Sequence, residues 1–389
     1  MVFEICPEER CTGCMACSAR CPLSCIAPRI DQEGFVRPEI DGERCVECGA
    51  CKRVCPAVSG LDLNPEPRSA YLFRTKDREN MIACASGGAF VDLSKSFLAS
   101  WEKRAAFGVS YDDQWAARHS VVFSIDHLGS FSGSKYSQSD IGDSFSEAKD
   151  LLESGYGVVF SGVPCQIAGL KQFLGKEYDN LLCIDLICHG VGSPQVFSRY
   201  AESLEKKNGS KLVNFCQTLK INGWMGKRVF ARFENGNVYS RMAITFDDPY
   251  MTAFLKHVIM RPSCYECEFT RLTRAGDLTI GDAWGVERQK PRSYYQQGVS
   301  LVLASTRKGF DAIRGCSSTA QVEEVDIGPY LASNPQLQKH IDKPENRDSL
   351  IRLAVSDASF ESFSSRLKYR SRFRRLLSEI KSQVNNLVF

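Results

Sequence analysis

Two cysteine runs of identical spacing lie between residues 11 and 56, and they constrain the fold of this chain more than any other feature. Each run reads Cys-x-x-Cys-x-x-Cys-x-x-x-Cys-Pro. Three closely spaced thiolates can bind three irons of one cubane, whereas the fourth is carried away toward a second cluster. Zinc knuckles also use Cys-x-x-Cys, but they usually separate their pairs by a long gap. The pattern therefore favours two [4Fe-4S] clusters.

The spacing also predicts which thiolates share a cluster, because the fourth cysteine of such a run ligates the other cluster. Residues 1–60 are accordingly predicted to form a small bacterial-type ferredoxin domain. Cys6 and Cys25 lie outside both runs and are expected to be buried structural residues. The predicted ligands are Cys11, Cys14, Cys17 and Cys55 for one cluster, and Cys45, Cys48, Cys51 and Cys21 for the other.

Charge and hydropathy exclude several classes of protein. A formal charge of +3, from 49 basic and 46 acidic residues, gives no electrostatic argument for binding nucleic acid. Eighteen cysteines would suggest a disulfide scaffold in a short secreted chain. The N-terminal residues, however, lack the apolar core of a signal peptide, and no run of about 18 apolar residues predicts a membrane span. We therefore expect a cytoplasmic protein whose thiols stay reduced.

The rest of the chain has the pattern of an α/β protein. Two prolines without periodicity predict a linker over residues 61–68. A capping box is expected where Asp143 and Ser144 precede Glu147. The predicted segments are 66–150 and 151–318 for the two parts of a larger domain and 319–389 for a C-terminal extension; within them, strands are expected at 70–73, 105–111, 119–124 and 158–162, and helices at 90–98, 166–174 and 193–207.

A third group of cysteines is dispersed along this larger domain. Cys264 and Cys267 form another Cys-x-x-Cys pair, which is either half of a metal site or a redox dithiol. Cys165 and Cys188 follow predicted strands, and chemistry in open sheets gathers beyond strand ends. Cys183 is a rival ligand, but its spacing from Cys188 turns it to the opposite side of the strand, toward the core. The residues alone leave a third cluster undecided.

Two further features are candidates for a cofactor site. The Ser86-Gly87-Gly88 turn precedes a predicted helix and offers backbone N–H groups to an anion such as a cofactor phosphate. A plain helix N-cap with flexible glycines explains it equally well. His189, at a strand tip, is a candidate proton donor, with a hydrogen-bonded structural histidine as the alternative. Asp185 and Asp282 are either site residues or turn and cap residues.

Seven motifs occur in an order that resembles the coenzyme F420 (deazaflavin) hydrogenase/dehydrogenase beta-subunit family, over about residues 66–315. The motifs are Ser86-Gly87-Gly88, Gly133-Ser134-Lys135-Tyr136-x-Gln138-Ser139, Gly162-x-Pro164-Cys165-Gln166, Asp185-Leu186-x-Cys188-His189-Gly190, Gly223-Trp224, Arg261-Pro262-x-Cys264-x-x-Cys267 and Asp277-Leu278-Thr279-Ile280-Gly281-Asp282-x-Trp284-Gly285.

The resemblance implies an α+β / α/β protein in which the ferredoxin domain is fused to a non-Rossmann α/β flavin-binding domain. It implies FAD beside one further [4Fe-4S] cluster. No G-x-G-x-x-G fingerprint precedes a helix, which argues against Rossmann-type NAD(P)H binding. By the resemblance, the cluster ligands are Cys165, Cys188, Cys264 and Cys267, and the flavin is lined by Ser86, Gly87, Gly88, Ser134, Lys135, Tyr136, Ser139 and Gly162.

A flavin exchanges two electrons with a proton, whereas clusters pass electrons singly, so a flavin beside a cluster converts one mode into the other. We therefore predict an iron–sulfur flavoprotein oxidoreductase that carries electrons between a ferredoxin-like or deazaflavin donor and an organic small-molecule substrate. Some members of the resembling family are associated with surface polysaccharide synthesis. His189 as proton donor and Lys135 at the flavin's anionic ring or phosphate are the candidate catalytic residues. The alternatives are a coenzyme F420-dependent electron-input subunit of a larger complex, or an electron-transfer adaptor without its own substrate.

The C-terminal residues 360–389 are basic and carry apolar residues at helical spacing. Such a helix could lie on an anionic membrane surface or dock on an acidic partner. The other interpretation is an ordinary terminal helix packed on the body. The basic residues are Arg366, Lys368, Arg370, Arg372, Arg374 and Arg375, and the apolar ones are Leu376, Leu377, Ile380, Val384 and Leu387.

Overall fold

The structure is a computed structural model that describes residues 4–60, 63–67, 69–356 and 359–367. Its strands are short, as expected for a globular protein. They are β1 (Ile26–Ile30), β2 (Val36–Ile40), β3 (Ser69–Thr75), β4 (Arg104–Tyr111), β5 (Ala117–Val122), β6 (Gly157–Gly162), β7 (Leu181–Leu186), β8 (Leu212–Leu219), β9 (Arg228–Phe233), β10 (Val238–Met242), β11 (Leu278–Asp282), β12 (Ser300–Ala304) and β13 (Ala320–Val325).

The helices range from single turns to four turns, and the longer ones flank the large sheet or the C-terminal part of the chain. They are α1 (Ala16–Ala19), α2 (Ala50–Arg53), α3 (Arg78–Ala83), α4 (Ala89–Leu98), α5 (Ser144–Glu153), α6 (Pro164–Leu174), α7 (Pro194–Asn208), α8 (Pro249–Leu255), α9 (Arg292–Tyr295), α10 (Arg307–Gly315), α11 (Gly328–Leu331), α12 (Arg347–Val355) and α13 (Phe360–Arg366).

A mixed sheet of eight strands, in the order β13-β3-β12-β11-β7-β6-β4-β5, organises the larger part of the described chain. Its centre is parallel, since β11, β7, β6 and β4 pair in the same direction. The flanking strands β12, β3, β13 and β5 are antiparallel. The α/β character predicted for this region is confirmed.

The central strands are apolar along their whole length because both faces of the sheet are covered. Val158 and Phe160 point to a core shared with α5 and α6, whereas Val159 between them points to a core shared with α4 and α10. Because helices cover both faces of the sheet, its accessible side is the one where the carboxyl ends of β6 and β7 lie. The residues that follow these two strands therefore emerge side by side.

Two smaller sheets complete the fold. β1 and β2 form an antiparallel hairpin between the two cysteine runs. β8, β9 and β10 form an antiparallel sheet whose β9–β10 turn lies at residues 234–237.

The capping box expected before α5 is not formed. Asp143 is the N-cap, with φ −90° and ψ 5°, and its side chain makes no cap hydrogen bond. An N-cap side chain normally reaches the next turn from an extended backbone, which this residue does not have. The helix nevertheless forms, from Ser144 to Glu153.

The beginning of the C-terminal extension packs on the body. Phe360 and Phe363 of α13 are buried in the same core as Tyr200 of α7. The basic and apolar residues predicted to form a docking helix, from Lys368 to Leu387, lie outside the described residues. Among the helices that the structure describes, none combines the length and the hydropathy needed to span a bilayer.

Candidate iron–sulfur centres

The outer set of cysteines, Cys21, Cys45, Cys48 and Cys51, lines one cavity near the protein surface. These are the four predicted ligands of one cluster. Cys48 is exposed. A cluster held here would lie within reach of another protein, because one of its ligands faces solvent.

The inner set, Cys11, Cys14, Cys17 and Cys55, is buried throughout. These four are the predicted ligands of the other ferredoxin-type cluster. Burial raises the pKa of the Cys17 thiol, and the charges of Cys14, Cys11 and Cys55 raise it further. Cys17 and Cys55 also pack in one cluster of buried side chains, although they come from different runs. Iron would hold such thiols as thiolates.

The two cysteines outside the runs lie against these sets instead of in an ordinary apolar core. Cys25 is buried, as expected, and its Sγ lies 3.3 Å from Cys21 Sγ. Cys6 is only half-buried, contrary to expectation, because it sits at the edge of the inner set. Its hydrogen bond lowers the pKa of Cys11 to about 5.

The third set, Cys165, Cys188, Cys264 and Cys267, lines a single cavity in the larger part of the protein. Three chain segments converge there: the first turn of α6, the residues after β7, and the 3-10 helix Pro262–Glu266 with the residue that follows it. Burial raises the pKa of Cys188 to about 12, and the charge of Cys267 adds to it. A four-thiol donor set in one cavity fits a [4Fe-4S] cluster.

Cys183, the rival ligand, belongs to the core. It is 2% exposed and packs among the apolar side chains between the sheet, α5 and α6. Within the described part of the chain, no group of three or more His, Cys, Asp or Glu side chains is arranged around one metal ion. The case for clusters therefore rests on the shared cavities and the thiol donors.

The inner and third sets are adjacent because α6 packs directly on the ferredoxin-type segment. A Cβ atom added to Gly169 would lie 2.8 Å from Cys14 Sγ, closer than any real contact. Gly169 is four residues after Cys165 and shares its face of the helix. The charge of Cys14 accordingly raises the pKa of Cys165, after the larger effect of burial and those of Cys267 and Cys188.

Charged side chains fix the ferredoxin-type segment on the body. Arg347 of α12 forms a bidentate ion pair with Glu33, in the turn between β1 and β2. Its guanidinium is 2% exposed on the side-chain scale and also donates to Met260 O. Arg10 pairs with Glu268 at 2.7 Å at the rim of the third cavity.

The Ser86-Gly87-Gly88 turn packs tightly against β3 and β12. Gly87 N donates to Ser300 Oγ, and Ser86 Oγ donates to Val299 O. A Cβ atom at Gly87 would lie 2.2 Å from Phe73 O, so this close approach requires glycine. Gly88 is the N-cap of α4 in the left-handed region, with φ 82° and no side-chain cap. The turn thus begins helix α4 and also packs closely against β3.

The loop before α5 contributes the next predicted flavin residues. Lys135 is partly buried, and its Nζ donates to Phe131 O and Ser132 O. Burial lowers the pKa of Lys135 to about 8. Tyr136 packs edge-on against Phe254, and burial raises the pKa of its hydroxyl.

Ser139 and Gly162, the remaining predicted flavin residues, lie at the end of β6. Ser139 Oγ accepts a hydrogen bond from Gln166 Nε2 at 3.0 Å. A Cβ atom at Gly162 would meet Gln166 Oε1 at 3.1 Å and His119 Nε2 at 3.4 Å. Both residues therefore support the start of α6, next to Cys165.

Lys220, just after β8, was missed from the sequence. Its Nζ donates to Ser86 O at 2.7 Å, to Gln297 O at 2.8 Å and to Cys84 Sγ at 3.3 Å. Burial lowers the pKa of this ammonium group. Cys216, three residues before the end of the same strand, affects the pKa of Lys135. A Cβ atom at Gly133 would lie 3.9 Å from Cys216 Sγ, so both predicted flavin segments lie beside β8 or the residue that follows it, a relation that no local pattern could reveal.

His189 lines the third cavity together with the four cysteines. Its Nε2 lies 2.7 Å from His257 Nε2, so at least one of the two rings is neutral. Burial lowers the pKa of His189 to about 4, and the neighbouring His257 lowers it further. The structure thus groups His189 with the cysteines and with His257, whereas the Ser86–Gly88 turn lies at the other predicted site.

The two aspartates have structural partners. Asp185 is fully buried, forms an ion pair with Arg274 at 3.1 Å, and accepts a hydrogen bond from Gly276 N. Asp282 accepts from Lys227 Nζ at 2.7 Å and from Trp224 Nε1 at 2.9 Å. Both carboxylates fix the ends of β7 and β11, in agreement with their interpretation as structural residues.

Comparisons with known proteins agree with this division. Residues 156–329 match the family described as the C terminus of the coenzyme F420 hydrogenase/dehydrogenase beta subunit, and residues 10–58 match the 4Fe-4S dicluster domain. A search of curated proteins found no match. Among solved structures, a chain of the F420-reducing [NiFe] hydrogenase complex from Methanosarcina barkeri, from a xenon derivatization study, is 17% identical. The similarity has a TM-score of 0.47 and covers 74% of this chain and 92% of that chain. The chain therefore combines a 4Fe-4S dicluster domain with a segment that matches the C terminus of the coenzyme F420 hydrogenase/dehydrogenase beta subunit.

Proposed function

We propose that this protein is an iron–sulfur flavoprotein oxidoreductase that carries electrons between a redox partner at its dicluster domain and an organic small molecule. The observation that carries the proposal is the convergence of Cys165, Cys188, Cys264 and Cys267 on one cavity, next to the inner set. Packing alone does not require four thiols from three separate segments in one cavity, whereas a third [4Fe-4S] cluster requires four thiolate ligands. Partner docking through the C-terminal residues 360–389 remains a prediction.

The order of the three sets supports electron transfer along them. Cys48 of the outer set is exposed, whereas the inner set is buried. The inner Cys14 contacts α6 at Gly169, one turn from Cys165 of the third set. A partner protein at the surface would thus exchange electrons with the outer cluster first and with the third cluster last.

Two lysines close to β8, Lys135 and Lys220, support a flavin site. The hydrogen-bond acceptors of Lys135 and Lys220 are backbone carbonyls and sulfur atoms, and neither residue is in an ion pair within the described residues. Two partly buried ammonium groups without a carboxylate partner favour an anion nearby. FAD supplies a diphosphate and a flavin ring that becomes anionic on reduction, so these residues fit the group.

In this proposal the chain's own residues have separate tasks. The Ser86-Gly87-Gly88 turn and Lys220 would hold the diphosphate of FAD, and Lys135 would balance the negative charge that its ring gains on reduction. Tyr136 closes the site from the side of Phe254. When bound, FAD collects two electrons with a proton, and the clusters pass electrons one at a time.

A second candidate is a coenzyme F420-dependent electron-input subunit of a larger complex. The observation in its favour is the match of residues 156–329 to the beta-subunit family. In that case electrons enter from the reduced deazaflavin and leave through the outer cluster to a partner protein.

The test is the content of iron, acid-labile sulfide and flavin per chain after purification without oxygen. About twelve irons and one FAD per chain are expected for three cubanes beside a flavin. About eight irons without flavin would contradict the proposal and leave an adaptor that contains only the dicluster domain. Reduction of the bound flavin by a reduced ferredoxin or by reduced coenzyme F420 then separates the two candidates.

A further inference from the structure

Arg261 connects the inner set to the third set. It lies three residues before Cys264 and is completely buried. Its Nε donates to Cys11 O at 2.7 Å, and its Nη2 lies 3.6 Å from Cys11 Sγ. Cys264 N in turn donates to Arg261 O at 3.0 Å. One residue thus contacts a predicted ligand of the inner cluster through its side chain and fixes a predicted ligand of the third cluster through its backbone.

Among the described residues, no carboxylate is a hydrogen-bond partner of this guanidinium group. Its Nη1 donates to Val36 O at 3.0 Å and to Gln138 Oε1 at 3.1 Å, so its acceptors are carbonyl and amide oxygens and the Cys11 sulfur. Phe35 covers one face, with its ring centre 5.4 Å from the guanidinium carbon. A buried cation in such surroundings is costly unless a negative group balances its charge.

A [4Fe-4S] cluster with four thiolates is itself an anion and becomes more negative on reduction. Hydrogen bonds to its sulfurs and positive charge close to it favour the reduced form and raise its reduction potential. The contact of Arg261 with Cys11 places such a positive charge beside a predicted ligand of the inner cluster. Gly13 has φ 67°, and a Cβ atom there would lie 2.8 Å from Arg261 Nη1, so the loop of the inner set is shaped to admit the guanidinium.

We propose that Arg261 is the counter-charge of the inner cluster and sets its reduction potential relative to the third cluster. The inference rests on the proposed function, because it requires clusters on both cysteine sets. Arg261 acts as a positioning and electrostatic residue: it contacts a cluster ligand and no substrate. Loss of its charge should make the reduced inner cluster less stable and slow electron transfer across this junction.

The test uses the full-length protein with its clusters, in redox titrations followed by electron paramagnetic resonance. Arg261→Gln removes the charge, and Gln138→Glu leaves every hydrogen bond of Arg261 in place but neutralises its charge with a carboxylate. We expect both variants to lower the midpoint potential of the inner cluster most, to lower that of the third cluster less, since Arg261 also lines its cavity, and to leave the outer cluster unchanged. Should Arg261→Gln fail to fold, Gln138→Glu alone decides.

The control is the double variant Arg37→Gln/Asp31→Asn. Arg37 is also buried near Cys11, but Asp31 already balances its charge, so removing the pair changes no net charge. We expect little change of potential in this control. Unshifted potentials in both test variants, with wild-type iron content, would overturn the role of Arg261. Fewer than three clusters in the wild-type protein would overturn the proposed function instead, and iron content distinguishes the two results.

Discussion

Replacing Arg347 with methionine should destabilise the attachment of the dicluster domain to the body. Arg347 is almost fully buried and pairs with Glu33, 314 residues away in the chain. Removing one partner of a buried ion pair costs about 3–5 kcal/mol, because the other charge is left without compensation. Glu33 is 24% exposed on the side-chain scale, so water screens part of this loss. We therefore expect a decrease of about 2–3 kcal/mol in the free energy of unfolding.

The assay is anaerobic denaturant unfolding, followed by circular dichroism and by the visible absorbance of the clusters. A double-mutant cycle of Arg347→Met with Glu33→Gln isolates the energy of the pair from lost packing against Tyr265. The matched control is Arg307→Met, whose ion pair with Asp311 is exposed and should contribute less than about 0.5 kcal/mol. If Arg347→Met costs no more than this control, the pair does not hold the domain in place.

Three further outcomes are expected. Gly169→Ala should cost about 1–3 kcal/mol and reduce iron content, because the new methyl group displaces Cys14, whereas Gly129→Ala has open space and should do neither. Burial lowers the pKa of His119 to about 4, whereas the same histidine in the unfolded chain has a pKa of about 6.5. As pH decreases from about 6.5 to 4, the unfolded state therefore binds a proton that the folded state does not, and the free energy of unfolding should fall by up to about 3 kcal/mol. In the variant His119→Asn, the free energy of unfolding should depend less on pH over this range. An unchanged dependence on pH would refute the lowered pKa of His119. Lys220→Met should weaken flavin retention about tenfold in a fluorescence assay, and full retention refutes its role at the diphosphate.

Local pattern predicts much of this fold. Cysteine spacing predicts the outer and inner sets, because the fourth cysteine of such a run ligates the other cluster. The strand that ends at Gly162 and the helix after it follow from apolar periodicity, and both are confirmed. The core position expected for Cys183 is confirmed as well.

Contacts between distant segments are what the sequence could not reveal. Arg347 and Glu33 look like ordinary charged residues until α12 packs against the β1–β2 turn. Lys220 has no motif of its own, and only the tertiary fold brings it to Ser86. The half-buried position of Cys6 likewise depends on where the inner set folds. These contacts depend on how distant helices and strands pack together, and the periodicity and spacing of nearby residues carry no information about that.

The central claim is that the third cavity holds a cluster in electronic contact with the dicluster domain. The most direct measurement is the iron content and electron paramagnetic resonance of the reduced protein, for wild type and Cys264→Ser. The matched control is Cys183→Ser, which alters a buried core cysteine. We expect a decrease from about twelve to about eight irons in Cys264→Ser, loss of one signal, and no change in the control. Unchanged iron content in Cys264→Ser would contradict the account.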